Sequence, residues 1–174
     1  MNVINTVISQ EFLISFAPRI SVEQVEEGNE LAPKFDANGC LPCITRHADT
    51  GAILMFAFMN DEALKLSITT GLAHYWSRSR RKLWKKGESS GMFQNVQRIL
   101  MDDDQDCVIL EVTLTQPTIG GEEASCPGRY RRCFYREIQL PPTPGATPLL
   151  PLTQSAKAFD PGAVYGDIPN PTRL

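Results

Sequence analysis

Along the middle of the chain, apolar positions fall into short runs separated by turn residues, a pattern that predicts strands more often than helices. Residues 41–45 read as a short strand and the apolar stretch 52–59 as a second; Asp49-Thr50-Gly51 between them is a turn signal, so the pair is expected to form a hairpin. A helix is predicted over residues 61–69. The Asn60 side chain is suited to accept an orphan backbone N–H at its start, Asp61 and Glu62 sit where the helix dipole favours negative charge, and Gly71 closes the far end. Strand character returns at 74–77, 96–101, 108–115 and 133–139, with a polar, glycine-punctuated stretch at 78–91 and a loop at 117–125. The expected fold class is α+β: a mainly antiparallel sheet or pseudo-barrel with one or two helices.

The two ends differ from this middle. Residues 1–34 mix apolar and acidic stretches, with Glu23, Glu26, Glu27 and Glu30 in one short run, and read as a helical or loose N-terminal extension. Residues 35–137 form the domain proper. From 138 to 174 the chain is a proline-rich tail: Pro141, Pro142, Pro144, Pro148 and Pro151 keep it out of a central sheet, and the remainder, with Pro161, Pro169 and Pro171, is expected to pack over a surface or stay loose.

Composition narrows the functional classes. A length of 174 residues with 42% hydrophobic and 21% charged residues suits one folded domain with attached segments. A net charge of -3 gives no whole-chain attraction to nucleic acid or acidic membranes, so neither is expected as a partner and any basic site is local. The N-terminus lacks the basic and apolar regions of a signal peptide, and no stretch approaches the roughly 18 apolar residues of a membrane span. A cytoplasmic location is expected. Cys40, Cys43, Cys107, Cys126 and Cys133 make an odd count, which favours reduced thiols or metal ligands over a disulfide framework.

Three clusters carry possible chemistry. Arg78, Arg80, Arg81, Lys82, Lys85 and Lys86 place six cations within nine positions, interrupted by Ser77, Ser79 and Trp84 and followed by Gly87 and Ser89-Ser90-Gly91. Arginine forks, hydroxyls and glycine-freed backbone N–H groups make an anion cradle, and a tryptophan can stack on a base; a solvated basic loop is the competing reading. Asp102, Asp103, Asp104 and Asp106 are four carboxylates in five positions, a natural site for a hard divalent ion or, otherwise, an exposed acidic turn. In an extended segment, alternation would put Asp102, Asp104 and Asp106 on one face. Cys126 and Cys133 are seven apart, weak evidence for zinc by itself. Cys40 and Cys43 form a CxxC without a second pair and read as small strand residues, while His47 and His74 are the only histidines.

In order over residues 35–136, FDANG, DTGAILMFAFMNDEAL, HYWSRSRRKLWKKGESSG, Gln94, the aspartates and the cysteine pair leading into CFYR resemble the phosphoribosyl-AMP cyclohydrolases of histidine biosynthesis. WSRSR with LWKKGESSG is the specific part. The resemblance implies an intertwined homodimer with its active site between subunits and a small phosphoribosyl nucleotide as substrate. It implies nucleotide contacts from Trp76, Ser77, Arg78, Ser79, Arg80, Trp84, Lys86, Glu88, Ser89, Ser90 and Gly91. It also implies Mg²⁺ at Asp102, Asp104 and Asp106, and Zn²⁺ at Cys126 and Cys133, two of the family's three zinc cysteines. The implied reaction is hydrolysis of the N1–C6 bond of the adenine ring of phosphoribosyl-AMP, giving the ring-opened aminoimidazole carboxamide ribotide. A zinc with an open position acidifies the attacking water, and His74, beside the basic block, is the candidate for proton transfer.

The chain departs from that pattern at the metal. The family reads Asp-Cys-Asp-x-Asp, and here Asp103 replaces the third zinc cysteine; the family's His-Thr-Gly after the first C-terminal cysteine is here Pro127-Gly128-Arg129. An insertion carrying Glu122 and Glu123 lies between Val112 and Cys126. Three outcomes are open at this stage. Asp103 supplies an oxygen ligand, giving a site for Zn²⁺, Fe²⁺ or Mn²⁺; Cys107 substitutes; or the metal is lost and the chain is a paralogue that acts on another purine or imidazole ribotide, or binds nucleotide without turnover.

Overall fold

The computed structural model describes residues 14–141 and 144–166. The first thirteen residues of the N-terminal extension, Pro142, Thr143 and the last eight residues with Pro169 and Pro171 lie outside the described residues. The elements run α1 (Val22–Glu26), β1 (Leu41–His47), β2 (Ile53–Met59), α2 (Asp61–Thr70), β3 (His74–Ser77), β4 (Lys82–Lys85), β5 (Gln94–Met101), β6 (Val108–Leu114) and α3 (Pro161–Tyr165).

Two hairpins build the main sheet, whose strand order is β2-β1-β6-β5. Each hairpin is antiparallel, but β1 and β6 meet side by side in parallel, with Cys43 opposite Val108 and His47 opposite Val112. The sheet is therefore mixed, because two hairpins joined through their inner strands fix a pairing that no single strand's residue pattern encodes. Alternation holds where one face is covered: β1 buries Leu41, Cys43 and Thr45. Leu41 and Cys43 pack in one cluster with Val108, Leu110 and Val112 of β6, Leu64 of α2 and Tyr75 of β3.

The helix starts where expected, since Asn60 Oδ1 accepts the Ala63 N–H at 2.9 Å, and Gly71 caps its end. Buried Ser67 ties α2 to β3: its hydroxyl accepts the His74 N–H (2.9 Å) and donates to the Ala63 carbonyl (2.8 Å).

Within the polar stretch 78–91, β4 returns antiparallel on β3 with Tyr75 opposite Trp84. One expectation is corrected: residues 133–139 form no strand. They run beside 149–153 through Thr153 N–H to Tyr135 O, Glu137 N–H to Pro151 O and Gln139 N–H to Leu149 O, leaving one isolated bridge between Arg136 and Leu152. Pro151, opposite Glu137, has no N–H to return that bond and extend the ladder.

The described part of the N-terminal extension is docked. Gln105, in the β5–β6 turn with φ +57, accepts the Ala32 N–H (2.7 Å) and donates to the carbonyls of Val25 (2.9 Å) and Glu30 (3.3 Å). One side chain thus clamps the extension over the aspartate turn.

Candidate active site

The β3–β4 hairpin and the turn after it form one side of a cavity of about 1140 Å³. From the predicted nucleotide block it receives Ser77, Ser79, Arg80, Trp84, Lys86, Ser89 and Ser90, and from β2 Met55 and Phe56. The turn folds on itself, with the Ser90 and Gly91 N–H groups both donating to the Gly87 carbonyl (3.2 and 2.8 Å). Gly87 is required: at φ +93 a Cβ would sit 2.4 Å from the Phe93 nitrogen. Trp76, Arg78, Glu88 and Gly91 are not on the cavity wall; the Arg78 guanidinium lies 3.6 Å over the Phe58 ring, and Glu88 is exposed.

Cys133 reaches the same cavity because its N–H donates to the Leu54 carbonyl on β2 at 2.7 Å. Cys126 is set by a buried polar chain. Tyr75 Oη donates to Gln94 Oε1 (2.6 Å), so the Thr45 hydroxyl, 2.8 Å away, donates to Tyr75; Gln94 Nε2 then donates to Ser125 Oγ (2.9 Å), next to Cys126. The Cys133 S–H is directed at the Cys126 sulfur. With the Gly128 and Tyr130 N–H groups and the Lys86 charge, it overcomes burial and pulls the Cys126 thiol down to about 6. Cys133 is pushed up by holding that proton and by burial. Lys86 is itself buried, which lowers its pKa against the pull of the two thiols. The arrangement is a soft pair of hydrogen-bonded sulfurs beside buried Lys86, with Cys133 facing a cavity rimmed with hydroxyls and an arginine.

The aspartates stand apart from this wall. One carboxylate oxygen from each of Asp102, Asp104 and Asp106 lies within 4.8 Å of the others, as the alternation argument grouped them. The cause is different: the segment is a turn, in which Asp102 Oδ1 accepts the Asp106 and Cys107 N–H groups (both 2.9 Å). Lys34 Nζ bridges Asp104 (2.8 Å) and Asp106 (3.1 Å). Asp103 is exposed and lines a separate hollow with Val25, Glu26 and Glu30. The Cys107 thiol is raised by burial and by the charges of Asp102 and Asp106.

His74 also lies off the cavity wall, buried, with Nδ1 2.8 Å from the Leu72 carbonyl. Burial, foremost, lowers its pKa below the ordinary 6.5. Above that value the histidine is neutral in both folded and unfolded chains and contributes no pH dependence. As pH falls below it, the unfolded chain takes the proton first, so stability is lost until the lowered folded pKa is passed. His74→Gln is therefore expected to flatten the fall in melting temperature as the pH drops below about 6.5, relative to the parent chain; identical profiles would show that His74 is not held neutral.

The sequence reading missed the Met55–Phe56 floor, the Ser125 anchor and four wall residues of the tail: Pro161, Gly162, Tyr165 and Gly166. Gln94, at the start of β5 beside Asn95, gave no sign in the sequence of its buried role.

Comparison with known proteins decides the family. A sequence model of phosphoribosyl-AMP cyclohydrolase matches residues 55–135. A protein of that name from Caulobacter sp. (strain K31) is 51% identical over 121 residues, 70% of this chain and 87% of its own length. One from Rhodopseudomonas palustris (strain BisA53) is 49% identical over 82% of this chain and 92% of its own, and one from Methanococcoides burtonii is 47% identical over 76% and 94%. The chain belongs to the phosphoribosyl-AMP cyclohydrolase family. For a phosphoribosyl-AMP cyclohydrolase, the match covers β2 through Cys133, which includes every element that builds the cavity except the tail. Among the described residues of this cyclohydrolase chain, no helix is long and apolar enough to cross a membrane.

Proposed function

We propose that this chain hydrolyses the N1–C6 bond of the adenine ring of phosphoribosyl-AMP to the ring-opened carboxamide ribotide, a step of histidine biosynthesis, in the cytoplasm. The observation that carries the reading is one cavity lined by the basic, serine-rich hairpin and by Cys133, with Cys126 buried behind Cys133 and hydrogen-bonded to it. Arg80 offers a charged fork to a phosphate, Ser77, Ser79 and Ser89 offer hydroxyls, and Trp84 offers a ring face to a base or ribose. Action on another ribotide is the less favoured reading, because relatives named for this substrate are about half identical across the same block.

The donor sets fit the metals of the family. Two thiols already sharing one proton suit zinc, a carboxylate ligand added to them would also admit iron or manganese, and Asp102, Asp104 and Asp106 suit Mg²⁺, for which Lys34 is the resident counter-charge. A divalent ion on the thiols supplies an acidified water at neutral pH. Lys86 lends positive charge to hold Cys126 ionised. Among the described residues no third His, Cys, Asp or Glu ligand closes on the thiols within the chain. A homodimer in which Asp103 or Cys107 of one copy completes the pair of the other meets that need, and the exposed apolar groups Ile53, Phe56, Phe134 and Ile138 give such a dimer a surface to bury.

The test is turnover of phosphoribosyl-AMP by the purified chain supplied with Mg²⁺ and, in turn, Zn²⁺, Mn²⁺ and Fe²⁺. Formation of the ring-opened product, followed by absorbance and mass spectrometry, is expected; a folded dimer that forms none with any of these ions overturns the reading.

A further inference from the structure

The family match ends at residue 135, yet the cavity is closed on one side by residues beyond it. The tail is seated there by its own core. Ala158 and Phe159 are each 6% exposed and pack with Met92 and Ala124. The Ala158 N–H donates to the Arg129 carbonyl (2.6 Å), and its carbonyl accepts the Glu122 N–H (2.8 Å). Gly121, at φ +116, admits this approach, since a Cβ there would lie 2.9 Å from Phe159 Cβ. Glu122 belongs to the insertion and Arg129 to the Pro127-Gly128-Arg129 loop. The segments that depart from the family pattern are thus packed against one another as a unit with the tail.

α3 follows directly, with Asp160 Oδ1 accepting the Gly162 N–H at 3.0 Å, and Phe159 packs on Tyr165 at 6.0 Å between ring centroids. Tyr165 is half-buried on the cavity wall, where burial raises its phenol above the ordinary value and the neighbouring Ser90 hydroxyl opposes this. The cavity consequently has three aromatic residues from separate parts of the chain, Phe56 on the floor and Trp84 and Tyr165 on the walls, among polar donors. A planar heteroaromatic base gains by contact with such rings.

We propose that the tail segment 158–166 is a wall of the nucleotide pocket and that Tyr165 contacts the bound nucleotide through its ring, setting affinity and selectivity for the base. This rests on the cyclohydrolase reading for the substrate's identity but not for the contact itself. It is tested on the full chain by calorimetric binding of AMP, which needs no turnover, alongside steady-state kinetics with phosphoribosyl-AMP. Tyr165→Ala is expected to weaken AMP binding and raise KM about tenfold with kcat within about twofold, and Tyr165→Phe to restore most of the loss because the ring is kept. Gly121→Ala, which unseats Phe159, is expected to reproduce the KM effect without touching Tyr165. A parent chain that binds AMP but forms no product ends the cyclohydrolase reading and leaves the tail proposal to the binding data. Equal AMP affinity in the parent and Tyr165→Ala chains, or a parent chain that binds no AMP, overturns the tail proposal; equal affinity with normal turnover leaves the cyclohydrolase reading standing.

Discussion

Cys133→Ser is expected to lower kcat/KM for phosphoribosyl-AMP by at least about a hundredfold, the upper end of what losing even an outer-shell partner of a metal site costs, and to release the bound ion. The fold should survive. Cys133 is held by its backbone N–H on Leu54, a bond that serine keeps, and its side chain belongs to no core cluster. What serine lacks is a soft donor: its hydroxyl can still hydrogen-bond Cys126, but it does not ionise at neutral pH to hold zinc. Metal analysis, circular dichroism and kinetics on the same preparation check this. A folded, metal-depleted and inactive variant is the expected outcome, and a variant with full activity would remove the thiol pair from the chemistry.

Tyr75→Ala is expected to cost about 3–5 kcal/mol of stability, the usual range for deleting a buried aromatic side chain. Tyr75 is fully buried in the main core and lies 4.9 Å from Trp84 between ring centroids. At roughly 2–4 °C per kcal/mol for a chain of this size, the melting temperature should fall by on the order of 10 °C. Tyr75→Phe separates packing from hydrogen bonding. It keeps the ring but strands Gln94 Oε1 without its donor, a loss of about 1–3 kcal/mol for a buried acceptor. Because Gln94 also holds Ser125 beside Cys126, the Phe variant should lose metal affinity out of proportion to its stability. Chemical denaturation of both variants with metal titration tests the pair; a Phe variant as stable and as metal-competent as the parent would show that the polar chain is idle.

Local chemistry was legible in the residues wherever one short segment decides the outcome. Asn60 and Gly71 mark the ends of α2, Asp49-Thr50-Gly51 marks the first hairpin, and the turn residues Gly87, Ser89 and Ser90 after Lys86 are found lining a cavity. What required the structure was long-range. The parallel β1–β6 seam joins strands about sixty residues apart, and nothing in either run specifies direction. The 133–139 segment has strand-forming residues, but its neighbour carries Pro151 at a position where a ladder needs a donor. The tail wall was unreadable because Phe159 and Tyr165 look like isolated aromatics in a proline-rich stretch until Met92 and Ala124 are seen beneath them.

The sharpest test of the whole account is X-ray absorption at the metal edge of the protein as purified. About one ion per chain is expected, with two sulfur neighbours and at least one oxygen neighbour, the mixed shell that Cys126, Cys133 and a carboxylate provide. A metal-free protein that still opens the ring, or an ion with no sulfur in its shell, would contradict it.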